Sequence, residues 1–377
     1  MTRRMTLLCT AIALAAPALT AQAAEPAQSA TGAPASPAAA IQPADPDLMP
    51  EARAVLDYLA SVYGKRTLTG VSGTANAEKV HEIASKYPAI VAIDISGWNS
   101  PTWGTSYTKV VEGYAEQAKA WWQAGGIVSM QYHWKHPMKE DGTAWVGKHG
   151  KNPPSGPLDL AKATTPGTDE HKAVMRDLEK TGDYLARLRD AGVPILWRPL
   201  HEIDGGWFWW TDHEDGANTA ALWRLIFDYY VKQRGLHNLI WVYNAGLKPP
   251  KGKDVEQIDV RKRFYPGPQY VDISGIDIYA NEYYGWEPYR ESAYPKAWRI
   301  MEQVSPGKML ALSEAGAIPS PDLMAKDGPK WLYCLAWWAG GNQNPDEWVK
   351  QTYTHPYMIT RDQLPDFRKL AETYRKP

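Results

Sequence analysis

The sequence predicts a single (β/α)8 TIM barrel of the α/β class, preceded by a leader and a linker. Three observations point there. Short apolar or β-branched runs alternate with longer amphipathic segments from about residue 50 onward, and parallel strands need crossovers of that length. The runs number eight, spread over most of a 377-residue chain, which suits a barrel with inserted loops better than an open sheet. Neither G-x-G-x-x-G nor G-x-x-x-x-G-K-[ST] follows the first run, so a nucleotide-binding sheet is disfavoured.

Taken in order, residues 1–23 read as a signal peptide. Arg3 and Arg4 precede an apolar stretch from Leu7 to Ala16, and Ala21-Gln22-Ala23 fits a small-residue cleavage site. The stretch is too short to span a bilayer, so export to the periplasm or the medium is expected, with no membrane span. Residues 24–47 are rich in Ala, Pro, Ser and Gln and read as a flexible linker. The barrel is expected over 48–377, with strands at 67–73, 89–98, 125–134, 193–202, 239–244, 270–279, 308–316 and 331–338. Between them, Val174, Leu178, Leu185 and Leu188 recur at helical spacing in 169–191, and Gly192 follows as a stop. Segments 107–123 and 218–233 read as helices in the same way.

Composition excludes several functions. Lys plus Arg number 41 against 42 Asp plus Glu, so no net field draws the chain to nucleic acid or an anionic membrane. Cys9 falls in the leader, which leaves Cys334 alone in an apolar run, a small buried hydrophobe with no disulfide partner. The aromatics are skewed: Trp 18 and Tyr 21 against Phe 4. Rings with a polar edge suit a wet, ring-lined site, although most individual tryptophans are expected in the core.

A TIM barrel carries its chemistry at the C-terminal ends of its strands. Two carboxylic acids stand there after apolar runs, Glu202 after the fourth strand and Glu314 after the seventh. Burying either without a partner is costly. A structural ion pair, such as Glu202 with Arg198, is one reading. Together they suggest another, since strands four and seven lie nearly opposite across the mouth. Hydrolysis of a glycoside needs two carboxyls there, one protonated toward the leaving oxygen and one ionised.

The run Trp197-Arg198-Pro199-Leu200-His201-Glu202-Ile203-Asp204-Gly205-Gly206-Trp207-Phe208-Trp209-Trp210 resembles the signature of glycoside hydrolase family 26. So do Ala311-Leu312-Ser313-Glu314-Ala315-Gly316, Gln131-Tyr132-His133-Trp134 and Tyr265-Pro266-Gly267. The resemblance implies a barrel and retaining hydrolysis, usually of β-1,4-mannan, with Glu202 as acid/base and Glu314 as nucleophile. It implies that His201 hydrogen-bonds the nucleophile, that Tyr279 donates to it, and that His133 contacts the reacting sugar. Arg198 is expected to pair with a carboxylate inside the barrel. A dry setting near Trp207 is expected to keep Glu202 protonated.

Trp207 and Trp337 are assigned to sugar stacking, while Trp209 and Trp210 are expected to pack beneath the loop. Trp145, in the long loop after the third strand, could reach the cleft, and Asn281, Glu282, Tyr283 and Tyr284 could line its other side. The chain departs from the family pattern at Thr211, where glycine is common, and at Trp337-Trp338-Ala339-Gly340, where a Trp-Arg-Asn-like sequence is common.

Rivals remain open at this level. Within the family they are a β-1,3-xylanase, a mixed-linkage β-glucanase and an exo-acting mannobiose-releasing enzyme. A non-catalytic glycan-binding barrel would keep the tryptophans and lose at least one glutamate. A zinc site is disfavoured, because His201-Glu202-Ile203-Asp204-Gly205 has glycine where H-E-x-x-H needs histidine. No G-x-S-x-G elbow supports a serine hydrolase. The expected partner is a β-mannan-type polysaccharide or oligosaccharide, with no metal, no cofactor and a monomeric chain.

Overall fold

The computed structural model describes residues 41–95, 107–150, 153–246, 257–279 and 292–375. The leader 1–23, the linker up to residue 40, the end of the second expected strand (96–98) and Asn281–Tyr284 lie outside the described residues.

All eight expected strands form, as β1 Thr67–Ser72, β2 Ile90–Asp94, β3 Ile127–Gln131, β4 Ile195–Arg198, β5 Leu239–Gly246, β6 Ile273–Ile278, β7 Met309–Ala315 and β8 Tyr333–Ala336. Each pairs in parallel with the next, and β1 closes the ring on β8 with Leu68 opposite Tyr333. Nearly every strand residue is buried, which is why these segments read as continuous apolar runs instead of alternating ones. A short β9, Met358–Ile359, adds in parallel to the start of β1. Two residues carry no periodicity, so sequence pattern had no means of finding it.

The helix Asp169–Asp190 begins at Thr168, whose hydroxyl accepts from the His171 N–H at 3.2 Å. Acids fill its first turn and Arg187 and Arg189 its last, complementing the helix dipole. Val174, Leu178, Leu185 and Leu188 are all fully buried, as their spacing predicts. The expected helix 218–233 divides into an α-helix Gly216–Asp228 and a π-turn Tyr229–Gln233. Seven tryptophans lie wholly inside: Trp134, Trp197, Trp209, Trp210, Trp223, Trp241 and Trp331. Each removes up to about 4–6 kcal/mol of apolar surface from water, and several satisfy their indole N–H internally. Trp209 donates to the Trp134 carbonyl at 2.6 Å and Trp331 to Ala293 at 2.8 Å.

The linker expectation needs correction at its C-terminal end. The Ala44 N–H donates to Asp272 at 2.7 Å, and the fully buried Asp45 lies 2.9 Å from His237 Nδ1. The chain is therefore pinned to the barrel from residue 44. Composition made Ala44–Asp47 look like linker because their partners, Asp272 and His237, are remote in sequence.

Candidate active site

A small register irregularity between β6 and β7 brings Asp277 level with Glu314 at the C-terminal end of the barrel. Gln131 and Arg198 are register partners at the ends of β3 and β4. The four side chains converge inside the barrel, where Arg198 is wholly buried and Glu314 is 3% exposed. The Arg198 guanidinium bonds Asp277 through two contacts of 3.0 and 2.8 Å, lies 3.1 Å from Glu314 Oε1, and also donates to Gln131 and Asn244. Burial opposes its charge, but Asp277 and Glu314 hold it protonated above its ordinary value. Arg198 thus takes the role expected of it, and Glu202 is not its partner.

Glu314 accepts from Gln131 Nε2 at 2.8 Å and from the Tyr279 hydroxyl at 2.5 Å, besides the Arg198 contact. Three donors on one carboxylate fix its plane and orientation. Tyr279 is where the sequence placed it. Gln131 had no assigned role, though its place at the end of β3 was a signal.

Glu202 lies four residues beyond β4, in a left-handed backbone conformation with φ 48°. Among the described residues only two others without a glycine share that sign, Ser85 and Tyr294. Such a conformation costs about 1–2 kcal/mol and persists only where the surroundings impose it. The Trp207 indole N–H donates to Glu202 Oε2 at 2.5 Å. Burial, then the charge of Glu314, push the Glu202 carboxyl up to about 8, against the opposite pull of Trp207. The expected dry setting is present, while the indole N–H of Trp207 pulls the other way and favours the ionised acid. Desolvation and the neighbouring carboxylate keep Glu202 protonated near neutral pH. Carboxylate oxygens of Glu202, Asp277 and Glu314 lie within 4.8 Å of one another. Such a donor set could attract a cation, but Arg198 already supplies positive charge to two of the three.

The histidines differ from expectation. His201 is buried, with its Nε2 3.4 Å from His133 Nε2 and its Nδ1 without a partner, so it does not bond Glu314. Burial, His133 and Arg198 push it well below its ordinary value, leaving it neutral. The contacts of the Glu314 carboxylate are made by Gln131, Tyr279 and Arg198. His133 bonds Asp94 at 2.7 Å, and that carboxylate raises it despite burial. The sequence had not named Asp94 as a partner.

Trp145 reaches this cluster: its ring lies 5.9 Å from His133 and stacks on His149 at 3.5 Å. An antiparallel bridge to Phe208 anchors it. Trp209 and Trp210 are fully buried beneath the loop, as predicted. Thr211 is accommodated by a bond from its hydroxyl to the Ile203 carbonyl at 3.0 Å. Trp337 is half-buried at the end of β8, while Trp338 is 46% exposed and meets Tyr279 edge-on at 5.8 Å. Of the two, Trp338 stands next to the tyrosine that donates to Glu314, a placement sequence could not separate from its neighbour's.

Residues 44–363 match the family model described as glycosyl hydrolase family 26. A mannan endo-1,4-beta-mannosidase of Thermothelomyces thermophilus is 34% identical, over 85% of this chain and 62% of its own length. A mannan endo-1,4-beta-mannosidase B of a Piromyces species is 29% identical, over 88% of this chain and 55% of its own. This chain therefore spans little more than half the length of these curated relatives. Among solved structures, a beta-mannanase from a symbiotic protist of the termite Reticulitermes speratus, complexed with gluco-manno-oligosaccharide, superposes with a TM-score of 0.71. It is 30% identical and covers 86% of this chain and 97% of its own. With the barrel, the paired carboxylates and a family match that runs through both, the chain belongs to glycosyl hydrolase family 26.

Proposed function

We propose that this chain is a retaining endo-β-1,4-mannanase that cleaves mannan, galactomannan or glucomannan by double displacement. The observation that carries the reading is the pair Glu202 and Glu314, with carboxylate oxygens within 4.8 Å and opposite surroundings. Retaining enzymes hold their carboxyls about 5–5.5 Å apart, whereas inverting ones leave about 6.5–9.5 Å for a water. Glu202, neutral at pH 7 with its carboxyl pushed up to about 8, donates its proton to the departing glycosidic oxygen. Glu314, oriented by Gln131, Tyr279 and Arg198, attacks the anomeric carbon and forms a glycosyl ester. Esterification removes the Glu314 charge, one of the two causes that raise Glu202. The acidity of Glu202 then increases, and as a carboxylate it takes a proton from the water that cleaves the ester.

The names of the relatives support mannan as the substrate, and His133, Trp145, Trp207, Trp337 and Trp338 are assigned to the sugar side of the cleft. No described helix is long and apolar enough to cross a membrane. The leader at 1–23 supports export to the periplasm or the medium.

The test is incubation with mannan, glucomannan, β-1,3-xylan and mixed-linkage glucan, with products sized over time and the first-formed anomer read by proton NMR. A ladder of manno-oligosaccharides with β configuration is expected. Products from xylan or mixed-linkage glucan alone would reassign the substrate. Disaccharide alone from the earliest times would show exo action, and an α product would overturn the retaining mechanism.

A further inference from the structure

The turn that carries Glu202 is strained, and something outside it must hold it. Gly246, at the end of β5, lies directly behind it. A Cβ on Gly246 would stand 3.1 Å from Trp207 Cζ2 and 3.2 Å from Glu202 Cβ, so any side chain here would press on both. Both polar groups of Gly246 are engaged by one ion pair. Its N–H donates to Asp204 Oδ1 at 2.8 Å, and its carbonyl accepts from Arg261 Nη1 at 3.0 Å. Arg261 in turn bonds the other oxygen of Asp204, and the two side chains are 8% and 3% exposed. Arg261 is the one buried residue of the helix Ile258–Arg263. Burying a cation on an otherwise exposed helix is costly, which implies a compensating role. A further strap, from the Ile203 N–H to the Asn244 carbonyl at 3.0 Å, ties the same turn to β5.

We propose that Asp204 and Arg261 are positioning residues, a buried clamp that fixes Gly246 behind Glu202 and Trp207 and so holds the proton donor in its left-handed geometry. The inference rests on the reading of Glu202 as the acid/base. Both side chains are buried, so the clamp acts through Glu202. Loosening the clamp lets Glu202 relax toward an ordinary backbone, displacing its carboxyl from the leaving oxygen. A displacement of about 1 Å costs on the order of 100-fold where geometry is catalytic.

The experiment compares Asp204→Asn with the unaltered enzyme on two substrates, mannopentaose and 2,4-dinitrophenyl β-mannobioside, as kcat/KM. Asparagine keeps an acceptor for the Gly246 N–H but removes the charge that pairs with Arg261. The dinitrophenolate leaves without protonation, so its kcat/KM reports attack by Glu314 alone. The expected result is a loss of about 30–100-fold on mannopentaose with less than about a 3-fold change on the aryl substrate. Equal losses on both, or no loss on either, would overturn the clamp. Should Asp204→Asn not fold, the double variant Asp204→Asn/Arg261→Gln, which removes both charges of this pair, is read by the same ratio. An unaltered enzyme inactive on both substrates would instead sink the mannanase reading, so the two failures are distinguishable.

Discussion

Trp207→Phe separates two effects that act on Glu202 in opposite directions. The indole N–H lies 2.5 Å from Glu202 Oε2 and favours the charged carboxyl. A hydrogen bond to a charged group contributes about 1.5–3 kcal/mol, and part of it survives when the acid is neutral. The differential loss is therefore about 1.4 kcal/mol, or roughly one pH unit. In the unaltered enzyme the alkaline limb of kcat/KM on mannopentaose is expected at about 8, where Glu202 loses its proton. In Trp207→Phe it should move up to about 9, with a lower plateau because the carboxyl has lost its orienting donor. The limb belongs to proton donation, so it should vanish on 2,4-dinitrophenyl β-mannobioside. The opposing effect is bulk: phenylalanine is smaller than tryptophan, and water entering behind it would lower the acid. A limb that stays in place or moves toward acid pH would refute the argument, showing that exclusion of water by the ring outweighs its N–H.

Glu314→Ala should abolish turnover of every substrate, including the aryl glycoside. Glu202→Ala should retain kcat/KM on the aryl glycoside while losing about 100–10,000-fold on mannopentaose, and equal losses would reverse or dissolve the two roles. Stability should also report on Glu202. Its folded value of about 8 lies above that of an unfolded glutamate near 4.5, so the folded protein loses stability as pH rises through that interval. Glu202→Gln removes this loss, and by thermal melting its advantage should be larger at pH 8.5 than at pH 5; an advantage independent of pH would contradict the sign. Asp45→Ala should lower Tm by removing the acceptor for His237 and for the Asp47 N–H, at a cost of about 2 kcal/mol, with kcat of the folded enzyme unchanged.

The sequence by itself determined the eight strands, their order and the two glutamates at their ends. Local pattern sufficed there, because a buried parallel strand is an apolar run, and a barrel puts chemistry where such runs stop. The burial of Trp209 and Trp210 and the partnership of Arg198 with carboxylates were legible beside them, and the donor role of Tyr279 through the family resemblance. The particular partners were not. That Arg198 serves Asp277 and Glu314 and that His201 faces His133 instead of Glu314 depend on distances of a few ångströms between residues from different strand ends. The docking of Asp45 and the grip of Arg261 on Gly246 lie equally beyond pattern, being single contacts with no period. Only closure of the barrel decided them, since it brings strand ends far apart in the chain to hydrogen-bonding distance and removes the water that would otherwise equalise their charges.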